Sequence, residues 1–141
     1  MSIFCDIMVQ VIYMIERVIE GFNNDKGFIK HNNYKIVSLT EDECILEYDV
    51  AKEGLNPINM VHGGMLFGLA DTAAGLVAYA KGKHPVTTNA SIHYLNAAKG
   101  KKVMAKASAL KVGNKIGYFR VDVFDENDVI ICTCNVEMYL K

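Results

Sequence analysis

NPINMVHGGMLFGLADTAAGLVAYA, residues Asn56 to Ala80, decides how the rest of the chain is read. From Gly63 to Ala80 it contains only glycine, alanine, leucine, valine, methionine and aromatic residues, apart from Asp71 and Thr72. A helix apolar on every side is expected to be buried on every side. Gly82 and Pro85 in KGKHP supply stop signals, so the helix is expected from about Gly64 to Ala80. The run is short for a bilayer span, rich in alanine and glycine, and interrupted by Asp71, so no membrane helix is expected. A carboxylate inside such a helix is costly unless it is paired or has a task. Capping of a second segment at ADTAAG is the plainer alternative, but the apolar pattern runs unbroken on both sides of Asp71.

The flanking segments define what surrounds that helix. FIKHNNYKIVSL and CILEYDV are strand-like, separated by the turn TEDE. AKEGLNPIN is irregular, punctuated by Gly54 and Pro57. After the helix, VTTNASIHYL, KVMAKASALKV, IGYFRVDVF and VIICTCNVEMYL read as strands, with turns at VGNK and DENDV. Phe119, Val121 and Val123 share one face, as do Ile130, Cys132, Cys134, Val136, Met138 and Leu140. Alternation of this kind means a sheet covered on one face and partly polar on the other. One sheet buries a helix on all sides only by curling around it, or with help from a second subunit. The expected architecture is α+β: residues 1–141 as a single domain, with a curved antiparallel sheet wrapped around a long central helix and paired with another copy. An amphipathic N-terminal helix over residues 1–24 precedes it, with Met8, Val11, Ile12, Ile15 and Ile19 at helical spacing.

Composition narrows the function classes. Hydrophobic residues make up 51% and charged residues 22%, a globular balance. A formal net charge of −1 gives no field for nucleic acid or an anionic membrane. The N-terminus lacks a positive n-region and a small-residue cleavage site, so it is not read as a signal peptide. Cys5, Cys44, Cys132 and Cys134 contain no C-x-x-C pair, and no histidine lies close to Cys132 and Cys134. No metal and no cofactor is expected, and reduced core thiols suit a cytoplasmic protein. His31 and His84 read as surface residues, and His93 as a strand residue without a catalytic task. Serine-hydrolase, P-loop and dinucleotide fingerprints are absent.

Asn56, then His62-Gly63-Gly64, then Asp71 seven residues after Gly64, followed by TTNASIHYLNAAKG, resembles the hot-dog-fold acyl-CoA thioesterases of the phenylacetate-pathway type. The resemblance runs from about residue 20 to the C-terminus. It implies a hot-dog fold, an acyl-CoA substrate, and a homodimer or a dimer of dimers. It also implies roles. The N–H of Gly63, or of its neighbour Gly64, polarises the thioester carbonyl. Asp71 acts as general base for water or as nucleophile, and Asn56 helps hold the water or the carbonyl. Thr87 occupies a Ser/Thr position beside the carboxylate, with Thr88 as a neighbour able to substitute. The chain carries Asn96-Ala97 where the family often has Arg-Pro or Ser-Pro.

Elementary chemistry bears on the same residues. The His62-Gly63-Gly64 turn feeds a helix N-terminus, where unpaired N–H groups and the positive end of the dipole favour an oxyanion. A tight turn without a ligand is the bland alternative. His62, at the end of a loop, is a candidate substrate-binding residue that is expected to make a structural hydrogen bond. Gly63 and Asp71 are eight residues apart, about 12 Å along a helix axis at 1.5 Å per residue. A general base acts within about 3 Å of its proton or through one water. If both serve one carbonyl, they come from different subunits, and the active unit is a dimer with sites across its interface. Lys99, Lys101 and Lys102 are candidates for the CoA phosphates or a solvated turn. Met65, Phe67, Leu69 and Tyr79 are candidates for an acyl pocket. The competing functions are a non-catalytic hot-dog protein that binds acyl-CoA as a sensor or structural partner, and a hot-dog dehydratase. The latter pairs a histidine with a carboxylate and does not fit the His-Gly-Gly and Asp arrangement.

Overall fold

The computed structural model describes residues 2–141. Its elements run α1 (Ile3–Asn23), α2 (Phe28–His31), β1 (Tyr34–Leu39), β2 (Glu43–Asp49), a 3-10 turn at Lys52–Gly54, α3 (Gly63–Ala80), β3 (Pro85–Tyr94), β4 (Lys102–Val112), β5 (Ile116–Asp125) and β6 (Ile130–Leu140). The six strands form one sheet in the order β1-β2-β4-β5-β6-β3, with every pairing antiparallel. Register shifts leave Val37 of β1, Thr88 of β3, Leu110 of β4 and Ile131 of β6 unpaired and let the sheet bend, since an unpaired residue kinks its strand and sharpens the twist. The result is the expected hot-dog arrangement: α3 touches all six strands, which requires a sheet curled around it.

The strand faces match their alternation. Phe119, Val121 and Val123 of β5 are buried, as are Cys132, Cys134, Val136, Met138 and Leu140 of β6, facing Leu66, Leu69, Leu76 and Val77 of α3. Removing each such side chain from water contributes about 1.5–3 kcal/mol. The cysteines are unpaired. Burial pushes the Cys44 and Cys132 thiols up to about 12, leaving them protonated core residues.

Three expectations need correction. The segment beginning FIKH is not strand from its start: Phe28–His31 is a helical turn and β1 begins at Tyr34. The Asp25 carboxylate accepts from the N–H groups of Gly27 (2.9 Å) and Ile29 (3.1 Å), and Asn33 at φ 56° turns the chain into the strand. Local capping here overrides apolar pattern. The buried stripe of α1 is also displaced. Ile15, Val18, Ile19 and Phe22 face the body of the protein, whereas Met8 and Ile12 are exposed. Finally, α3 is long and apolar enough to cross a membrane, and half of it is buried within this chain rather than all of it. Gly64, Gly68, Asp71, Thr72, Gly75 and Tyr79 form a strip left partly or fully open.

The loop before α3 is tightly specified. Gly54 is buried, and its carbonyl accepts from the His62 N–H at 2.8 Å, tying the loop to the helix start. A Cβ at residue 54 would collide with the Tyr48 hydroxyl, and Tyr48 is itself held in the core with that hydroxyl accepting from the Ala51 N–H (3.0 Å). Gly54→Ala is therefore expected to destabilise the protein by about 1–3 kcal/mol. The check is a lower urea midpoint with an unchanged slope.

Candidate active site

The start of α3 is held by His62. Its backbone is extended (φ −62°, ψ 137°), and its Nδ1 accepts from the Gly64 N–H at 2.9 Å, so the imidazole caps the helix. The structural hydrogen bond expected of His62 is present. The N–H groups of Met65 and Leu66 both donate to the His62 carbonyl, at 2.9 and 3.2 Å. Of the amides in this first turn, Gly63 N–H alone has no acceptor among the described residues. The structure thereby separates two residues that sequence left as alternatives: the Gly64 amide is occupied and the Gly63 amide is free.

Gly63 opens into a cleft of about 480 Å³ that Asn56, Tyr94, Asn96 and Ala97 also line. Asn56 Oδ1 accepts from the N–H groups of Ile58 (3.1 Å) and Met60 (3.0 Å), which closes the loop and leaves the Nδ2 group as a donor. Tyr94 was not singled out from sequence. Its hydroxyl donates to the Gly63 carbonyl at 2.9 Å, and its ring lies over Gly63. Burial, with Cys132 and Cys134 nearby, holds that hydroxyl above its ordinary range, so it remains a donor. Asn96 Nδ2 donates to the Ile130 carbonyl (2.8 Å), making the departure from the family's usual pair a structural clasp.

Asp71 faces elsewhere. It is partly exposed, and its Oδ1 accepts from the Thr87 hydroxyl at 2.7 Å. The expectation of a fully buried carboxylate is corrected within one chain: Asp71 sits on the open strip of α3, in a groove of about 760 Å³ between α1 and α3. Burial and the nearby Asp71 push the Cys134 thiol behind it up to about 11. Thr88, the unpaired residue of the register shift in β3, is engaged elsewhere: its hydroxyl donates to the carbonyl or carboxylate of Glu137 at 3.2 Å.

The remaining candidates divide. Lys99 and Lys101 are exposed and make no ion pair among the described residues, whereas Lys102 is engaged with Glu47 (3.0 Å) and Asp49 (3.8 Å). Of the four pocket candidates on α3, Tyr79 lines the groove beside Asp71; Leu69 is fully buried core. Met65 packs by Tyr34, whose hydroxyl contacts both its carbonyl and its sulfur at 3.2 Å.

The thioesterase superfamily profile matches residues 58–132, from just before the His-Gly-Gly turn into β6. A protein of Archaeoglobus fulgidus named "Putative esterase" is 34% identical over 128 residues, covering 89% of this chain and 82% of that one. The chain belongs to the thioesterase superfamily. Among solved structures, a protein of Streptococcus pneumoniae described as a "Hypothetical Thioesterase Protein", crystallised with coenzyme A, is 26% identical, with a TM-score of 0.80 over 87% of this chain and 96% of that one. The E. coli PaaI protein of the phenylacetic acid degradation operon, 19% identical, superposes with a TM-score of 0.86 over 92% of this chain and 94% of its own, and shows the shared fold. Two further structures of the pneumococcal thioesterase are of an aspartate-to-alanine and a threonine-to-alanine variant, whose positions are sixteen residues apart. In the present thioesterase-superfamily chain the hydrogen-bonded pair Asp71 and Thr87 is also sixteen residues apart.

Proposed function

We propose that the protein hydrolyses acyl-CoA thioesters to a carboxylic acid and free CoA, in a site completed by two protomers. One observation carries the proposal. The free Gly63 amide and the Asp71 carboxylate lie on one continuous helix and open into different recesses. Eight residues of helix separate them by about 12 Å along the axis, too far for one carbonyl within one chain. Each protomer thus offers two unlike half-sites. Pairing about a two-fold axis unites the Gly63 half of each chain with the Asp71 half of its partner. The open edge of the sheet supports such pairing: β3 is an edge strand of ten residues, mostly exposed, and it carries Thr87. The coenzyme A held by the pneumococcal relative supports the substrate class.

In this scheme the thioester carbonyl oxygen lies against the Gly63 N–H, with Asn56 Nδ2 as a second donor. The Thr87 hydroxyl holds the Asp71 carboxylate in place. Acting as base, Asp71 takes a proton from water as the oxygen attacks the carbonyl carbon, and the amide stabilises the oxyanion. Collapse breaks the carbon–sulfur bond, and the departing thiolate takes the proton back from Asp71. Acting as nucleophile, Asp71 forms an anhydride, expels the thiolate, and water then cleaves the anhydride. Both routes need the same placement of Asp71 and Gly63. Lys99 and Lys101, both exposed, are the cations offered to the CoA phosphates. Reduced thiols suit a cytoplasmic setting.

The test is free-thiol release from a panel of aliphatic and aryl acyl-CoAs. Release from at least one substrate, above the rate without protein, is the expected result. Binding of acyl-CoA with no release from any of them would replace the hydrolase by a non-catalytic acyl-CoA-binding protein.

A further inference from the structure

The α1–α3 groove is far larger than a carboxylate needs. Its volume is about 760 Å³, and Met14, Val18, Phe22, Leu76 and Tyr79 supply much of its lining. Cavities of about 300–1,000 Å³ with apolar walls and a few convergent polar groups are the common form of small-molecule sites. The hydrogen-bonded pair Asp71 and Thr87 lies in its lining, and Arg17, Asp25, Lys83 and His84 also border it. An acetyl group there would leave most of the apolar wall against water.

Two helical glycines border the groove from opposite walls, Gly21 on α1 and Gly75 on α3, one turn beyond Asp71. Glycine inside a helix weakens it relative to alanine, and neither position demands one. Both have ordinary helical backbone; a Cβ at Gly21 would meet nothing within 4 Å, and one at Gly75 would meet only the Met138 methyl at 3.9 Å. What the missing side chains leave is open width. We infer that this groove is the acyl site, that α1 is its outer wall, and that Gly21 and Gly75 set its width for an uncharged, apolar acyl chain of medium length. The inference rests on the thioesterase function proposed above, and it assigns the N-terminal helix to specificity.

The experiment measures kcat/KM of the full chain for acetyl-, butanoyl-, octanoyl- and decanoyl-CoA, in the wild type and in Gly21→Leu, Gly21→Ala and Gly75→Ala. Misplacing a single methylene changes discrimination by about tenfold or more. The wild type should prefer octanoyl- to acetyl-CoA, and Gly21→Leu should lower the octanoyl/acetyl ratio by about tenfold or more. The two alanine variants should shift the same ratio less, and they serve if leucine disturbs folding. An unchanged ratio in all three folded variants overturns the inference. Binding of S-octyl-CoA, a thioether that cannot be hydrolysed, separates this from failure of the hydrolase itself. If no thioester is cleaved, tighter binding of S-octyl-CoA than of S-ethyl-CoA, lost in Gly21→Leu, still supports the groove. Equal affinities overturn it.

Discussion

Asp71→Asn is expected to lower kcat for thioester hydrolysis by about 10²–10⁴-fold, the range set by loss of a positioned base. The change is confined to chemistry. Asparagine matches aspartate in size, and its carbonyl oxygen can still accept the Thr87 hydroxyl now bonded at 2.7 Å. The side chain lies on the open strip of α3, so no core contact is lost and the melting temperature should stay close to that of the wild type. KM should change far less than kcat, because the carboxylate acts on the reacting water or carbon rather than on the bulk of CoA. Full activity in the variant would remove Asp71 from the mechanism. Single turnover in heavy-oxygen water then distinguishes its two possible tasks. A general base puts solvent oxygen into the acid at once. A nucleophile whose anhydride is opened by water at the Asp71 carbonyl instead delivers one of its own unlabelled carboxylate oxygens to the acid in the first turnover.

Gly63→Pro is expected to lower kcat by about 10²–10³-fold by deleting one N–H group. The position suits the substitution unusually well. Residue 63 is the first of α3, where proline is favoured because its missing N–H has no helical partner. His62 already has the extended backbone that a residue before proline requires (φ −62°, ψ 137°). The crowding is limited: a Cβ at residue 63 lies 3.1 Å from the hydroxyl of Tyr94, whose half-exposed side chain has room to move. The Gly64 cap on His62 is untouched. A folded Gly63→Pro protein with undiminished kcat would mean that the oxyanion is held elsewhere. Gly63→Ala keeps the N–H and separates crowding of Tyr94 from loss of the donor.

The central helix and four following strands were legible because their signals are local. KVMAKASALKV alternates cleanly and is β4 from Lys102 to Val112. Gly82, at φ 73°, follows the last turn of α3 as the stop signal requires. Legibility failed where a side chain outside the pattern settled the backbone. Asp25 turned the segment at Phe28 into a helical turn by accepting N–H groups that a strand would direct elsewhere. In the site, residue types and spacing marked Asp71, Gly63, Asn56 and Thr87. They could not tell the occupied Gly64 amide from the free Gly63 amide, which depends on the rotamer of His62. Nor could they place Tyr94 over Gly63, a contact between elements thirty-one residues apart. The groove under α1 was beyond reach for the same reason, since no periodicity within either helix reports how the two cross.

The shared site is tested most directly by a mixed dimer. Asp71→Asn and Gly63→Pro chains, carrying different affinity tags, are co-expressed and purified through both tags, so that each dimer holds one of each. In that dimer one site combines the intact Gly63 of the first chain with the intact Asp71 of the second, and the other site carries both lesions. About half of wild-type activity per dimer is the expected result, although each parent homodimer is nearly inactive. A mixed dimer as inactive as its parents would place Gly63 and Asp71 of the same chain in one site and contradict the account.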